Sequence, residues 1–87
     1  MDGDFCVKLG WLGEEEENTL KTDLLPRLRD LIRRFPGVVE VDLEVGDDFR
    51  YMRGYLALAL GQPVEHCRSF FAGVATGFLQ ANKIETI

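Results

Sequence analysis

A length of 87 residues, a hydrophobic share of 46% and six Phe give enough apolar material for one small core without a metal or a disulfide framework. Fifteen acidic residues against ten basic ones set the net charge at −5, and the excess is uneven: 13 acids and 6 bases in residues 1–48, 2 acids and 4 bases in residues 49–87. This balance argues against general binding to nucleic acid or to an anionic membrane, and favours a protein partner, a basic one in particular.

Along the chain, Phe5, Val7, Leu9 and Trp11 alternate with Cys6, Lys8 and Gly10, which predicts a half-buried strand with those four apolar residues inward. Gly13 and the acidic stretch Glu14–Asn18 read as a solvated loop. Leu24, Leu28, Leu31 and Phe35, with Leu25 and Ile32, form an apolar stripe at helical spacing. Asp23 as N-cap would put Pro26 in the first turn, where its missing N–H does little harm; a helix reaching back to Asn18 would need a kink at the proline. Phe35-Pro36-Gly37 ends this helix.

Val39, Val41, Leu43 and Val45 alternate with Glu40, Asp42 and Glu44 as a second strand, and Gly46-Asp47-Asp48 marks a turn. Arg50 to Leu60 reads as the antiparallel return, with Met52, Leu56, Leu58 and Leu60 inward and Tyr51, Arg53, Tyr55, Ala57 and Ala59 outward. Gly61-Gln62-Pro63 opens a second helix with proline at its first position. Its stripe is Val64, Cys67, Phe71, Val74 and Phe78, its exit Asn82, and Lys83–Ile87 is long enough for a short edge strand. The succession predicts one α+β domain over residues 1–87. It is a ferredoxin-like βαββαβ sandwich, a four-stranded antiparallel sheet in the order four-one-three-two with two helices on one face and the other face open.

Cys6 and Cys67 lack any recurring spacing, and the start Met1-Asp2-Gly3-Asp4 has neither the basic residues nor the apolar run of a secretory signal. The longest apolar stretch, Tyr55–Leu60, is far too short to span a bilayer. Free thiols and a cytoplasmic location are the expectation. The lone histidine, His66, adjoins Cys67, and neighbours on a helix diverge by about 100°. A surface histidine beside a core cysteine is therefore expected, with no catalytic residue, metal or cofactor.

Two surfaces could receive a partner. The open sheet face would carry Lys8, Glu40, Asp42, Glu44, Tyr51, Arg53 and Tyr55; its acidic row reads either as a site for a basic partner or as an edge kept soluble by charge. On the second helix, Ser69, Gly73 and Gly77 recur every fourth residue opposite the apolar stripe, flanked by His66 and Phe70, and leave a smooth groove. Arg27, Arg29, Arg33 and Arg34 form a basic face on the first helix. Asp23 and Asp30 stand four residues before Arg27 and Arg34, which leaves Arg29 and Arg33 without a local carboxylate.

The segment Arg53-Gly54-Tyr55 resembles the start of the ribonucleoprotein octamer of RNA-recognition motifs, and the resemblance implies stacking of bases on the open face. Ala57 and Lys8 stand where that family's other stacking rings would be. Phe35-Pro36-Gly37-Val38-Val39-Glu40-Val41 is similar to the helix-to-strand corner of heavy-metal metallochaperones and ACT regulatory domains. The metallochaperone Cys-x-x-Cys and the arginine loop of acylphosphatases are both lacking after the first strand. The expectation is a small non-enzymatic interaction or regulatory protein, either self-associating as a homodimer through stacked sheets or inhibiting a larger basic or nucleic-acid-binding complex. In size and charge it is similar to phage anti-defence proteins such as anti-CRISPR proteins. The alternatives are a degenerate RNA-recognition module and a dimeric ferredoxin-like sensor or enzyme in which His66, Tyr51 or Tyr55 does acid–base work.

Overall fold

The period-two pattern of the N-terminal segment folds as β1 (Asp2–Lys8), with Phe5 and Val7 buried between exposed Asp4, Cys6 and Lys8. The computed structural model describes residues 2–87; residue 1, at the head of the expected domain, lies outside them. The second and third strands are β2 (Val38–Val45) and β3 (Tyr51–Leu58), and the sheet order is β1-β3-β2, antiparallel throughout. Its register aligns Phe5, Gly54 and Leu43 across one row, and Asp4, Tyr55 and Asp42 across the next.

The expected four-stranded ferredoxin-like sheet is not formed; the sheet has three strands. The terminal segment supplies one antiparallel bridge, Leu9 to Thr86, in which Gly10 N–H donates to the Glu85 carbonyl at 2.8 Å and Ile87 N–H to the Lys8 carbonyl at 3.0 Å. The cause is the exit from the last helix, α3 (Val64–Ala81). Lys83 takes a φ of 64°, Ile84 N–H returns to the Leu79 carbonyl at 2.9 Å, and the Ile84 side chain is buried in the core. With Ile84 anchored in the core, the segment meets β1 at this single bridge and forms no ladder.

The second correction concerns Glu14–Asn18, which is helical. The run Glu14–Arg33 comprises α1 (Glu14–Thr19), a π-turn (Leu20–Leu24) and α2 (Leu25–Arg33). Four consecutive glutamates lie at the positive end of the helix dipole, and Glu16 Oε1 accepts the Gly13 N–H at 3.1 Å. Pro26 does not force a break. Leu25 N–H bonds the Leu20 carbonyl, five residues back, and the widened turn relieves the clash between the proline ring and the preceding carbonyls. The buried line is Leu20, Leu24, Leu28 and Ile32, an unbroken spacing of four, while Leu31 sits at the rim.

On α3 the buried line is Phe71, Ala75 and Leu79, and the expected stripe of Val64, Cys67, Val74 and Phe78 flanks it, partly buried. Pro63 stands just before the first helical residue. Three residues expected inside are outside, and the first is Val39, which the bulge before Glu40 leaves exposed. Trp11 is 80% exposed because Gly10 interrupts the alternation and Leu12 takes the inward place; Leu60 is 90% exposed because β3 ends at Leu58. Gly37, at φ 89°, makes the helix-to-strand corner, a conformation L side chains resist. Beside it, Phe35 meets Phe70 and Phe71 edge-on, with ring centroids 5.4 and 5.2 Å apart.

Candidate functional site: the open sheet face

Because α2 packs against β2 and α3 against β1, one side of the sheet is roofed and the other is left bare. Strand alternation places Asp2, Asp4, Cys6 and Lys8 of β1 on the bare side, with Tyr51, Arg53, Tyr55 and Ala57 of β3 and Glu40, Asp42 and Glu44 of β2. The register fixes their neighbours: Asp4–Tyr55–Asp42 and Cys6–Arg53–Glu44 form rows, and Lys8 faces Tyr51. One end of the face is therefore acidic and the other cationic and aromatic. At the acidic end, Asp2, Asp4, Glu40, Asp42 and Tyr55 wall a shallow depression of about 440 Å³ above Ala57.

The tyrosines are 43% and 40% exposed at Tyr51 and Tyr55, and Tyr55 is held in place: its hydroxyl donates to Glu44 Oε1 at 2.9 Å. That hydrogen bond, made while the phenol keeps its proton, raises the Tyr55 pKa above its ordinary 10.0; burial and the Glu44 charge add to it, and Arg53 opposes it. A folded-state pKa above the unfolded one contributes stability that is complete below the ordinary value and is lost as pH rises through the raised one. Glu44→Gln should lower the Tyr55 titration toward the ordinary phenol, as read by the pH dependence of its ring NMR signals. An unmoved titration would rule out Glu44 as the cause.

The acidic row is partly spoken for. A bulge between Val38 and Glu40 offsets β2 against β3, and Glu40 folds over the outer edge of the sheet. There its Oε1 accepts the Val41 N–H at 3.1 Å and lies 3.9 Å from Arg29 and 3.7 Å from Arg33. These two arginines, without a local carboxylate in the sequence, find theirs on the neighbouring strand. On the opposite edge, Arg68 of α3 donates through Nε to the Asp4 carbonyl at 2.6 Å, lies 3.6 Å from the Asp4 carboxylate, and bonds Glu65 at 2.8 Å. The Asp42 side chain has no ion pair or hydrogen bond among the described residues, so it is the member of the row most available to a partner.

The second candidate surface lies elsewhere. Ser69, Gly73 and Gly77 are exposed along α3, and a Cβ built on Gly73 or Gly77 would meet nothing within 4 Å. His66 is exposed and Cys67 half-buried, both on the rim of a recess of about 180 Å³ with Phe35, Pro36 and Phe70. Among the described residues, no hydrogen bond joins this histidine to the thiol, and no three His, Cys, Asp or Glu side chains converge as a metal-binding set. Nor, among the described residues, is any helix long and apolar enough to cross a membrane.

One cluster was missed by sequence reasoning. Trp11, Tyr51 and Ile87 line a groove of about 550 Å³ in which Lys8 and Arg50 are matched by Glu17 and Asp48. The available signal was the pair of glycines around Trp11-Leu12, which mark the end of regular alternation. Comparison with protein-family models, with curated proteins and with solved structures returns no match.

Proposed function

We propose that this chain is a small non-enzymatic interaction protein that engages a protein partner through the bare sheet face. The observation that carries the reading is the row Tyr51, Arg53 and Tyr55 on β3, exposed on a rigid sheet and flanked by strands whose side chains it orders. Tyr and Arg are the side chains that most often anchor interfaces, and a tyrosine already fixed by Glu44 loses little freedom on binding. With Glu40 and Asp4 paired to arginines at the edges, Asp2, Asp42 and Glu44 stand on this face against the two cations Lys8 and Arg53. The excess favours a basic partner surface over a second copy of the same face. Inhibition or regulation of a larger basic assembly is the role such a surface fits.

The test is a pull-down from host extract, quantified on whichever partner the wild-type chain retains. Tyr55→Ala and Asp42→Lys should each reduce retention on the order of tenfold or more, with the fold intact by circular dichroism. The control is the double variant Gly73→Ala, Gly77→Ala. It should stabilise the isolated chain by up to ~1 kcal/mol per site and leave retention unchanged. Loss of the partner in that control, with retention in the face variants, would move the working surface to α3.

A further inference from the structure

The two edges of the sheet are guarded unequally, and the difference points to a mode of binding. The β2 edge is guarded at its start by its bulge and by Glu40, which occupies the Val41 N–H and is itself held by Arg29 and Arg33. The β1 edge is regular, with no register shift along Asp2–Lys8. Its outward-facing backbone groups belong to the even residues, because the Asp4 carbonyl accepts from Arg68 and the Lys8 carbonyl from Ile87 on that side. By alternation Asp2 and Cys6 turn the same way. The segment Glu85–Ile87 already uses this lane in antiparallel fashion at Lys8–Gly10. From Cys6 back to Asp2, among the described residues, the lane holds the Arg68 side chain alone, beside a recess of about 290 Å³ lined by Cys6, Glu65, Arg68, Ser69 and Ala72.

We propose that an extended segment of the partner adds to the β1 edge as an antiparallel fourth strand, displacing the Arg68 side chain from the Asp4 carbonyl. This rests on the interaction reading above and names how the partner is held. Main-chain hydrogen bonds to Asp2, Asp4 and Cys6 supply affinity, and alternate side chains supply selectivity. Residues opposite Asp2 and Asp4 lie on the bare face beside those carboxylates and are cations. The residues between them point to the α3 side, over Phe5 and Ala72, and are small and apolar. Self-pairing of two β1 strands centred on Asp4 would set Asp4 against its own copy, a like-charge contact that disfavours a second copy as occupant.

The probe is the blocked peptide Lys-Val-Lys-Val-Lys added to the full chain, read by amide exchange and by NMR titration. The expected result is slowed exchange, by tenfold or more, at the Asp4 and Cys6 amides, and weaker binding by a similar factor in Asp4→Lys. Arg68→Ala should tighten binding several-fold, since it removes both a competitor for the carbonyl and a like charge. The peptide N-methylated at its central lysine and its Glu-Val-Glu-Val-Glu counterpart should not protect the edge. Peptide shifts confined to Tyr55, Asp42 and Arg53, without amide protection, would overturn strand addition and leave the face reading standing. Absence of any binding at millimolar peptide would overturn strand addition as well. Protection of Asp4 and Cys6 that grows with protein concentration alone would assign the lane to a second copy and overturn the partner-strand proposal.

Discussion

Gly54→Ala should destabilise the fold by about 3 kcal/mol, a large part of what a chain of this size has to lose. Gly54 lies on the roofed side of β3, directly across from Phe5 in the register with β1, and is itself buried. A Cβ added there would fall well inside 3.0 Å of the Phe5 ring, a separation that non-bonded carbons do not tolerate. The ring cannot simply turn away, because Phe5 is buried in the core beneath the helices. Urea denaturation should show a lower midpoint with an unchanged slope. The compensating pair Phe5→Leu, Gly54→Ala should recover part of the loss, since the smaller side chain frees the space above the strand. A single variant as stable as the wild type would mean that Phe5 does not lie over Gly54.

Leu28→Ala should cost a comparable amount, about 3 kcal/mol, whereas Leu60→Ala and Trp11→Ala should each change stability by no more than about 0.5 kcal/mol. Leu28 has no exposed surface and stands in the middle of the line Leu20, Leu24, Leu28, Ile32 that seats the helical run on the sheet. Truncating it leaves a void in a close-packed interior. Leu60 and Trp11 have the same apolar character but most of their surface already in water, so there is little burial to lose. Thermal melts of the three variants would discriminate between inside and outside. A Trp11→Ala variant as damaged as Leu28→Ala would return Trp11 to the core.

These contrasts mark what could be read from the chain. The alternation of β2 beyond its bulge, from Glu40 on, and of β3 up to Leu58 was legible because each apolar residue there meets the same face at every second step, and the rows on the bare side followed from it. The helix after Gly13 was not, because a run of glutamates looks solvated whether or not its backbone is hydrogen-bonded. Pro26 also carries a breaker's signal that a π-turn cancels. The missing fourth strand turned on Ile84, whose apolar side chain fits a strand pattern and a core anchor equally well. At the candidate site, the residue identities were legible but their partners were not. The closure of Glu40 onto Arg29 and Arg33, and of Arg68 onto Asp4, joins positions far apart in sequence through bends that periodicity does not encode.

Those two clasps carry a consequence for how the molecule behaves in bulk. Both include water-exposed ion pairs at 3.6 to 3.9 Å, beside shorter bonds from Arg68 to the Asp4 carbonyl at 2.6 Å and from the Val41 N–H to Glu40 at 3.1 Å. Electrostatic range contracts from about 10 Å at 0.1 M salt to about 3 Å at 1 M. Concentrated brine thus weakens the charge pairs at the sheet margins while leaving the apolar interior intact, and lateral pairing of strands becomes less hindered. Dilute buffer preserves the charge pairs at these borders; concentrated salt weakens them.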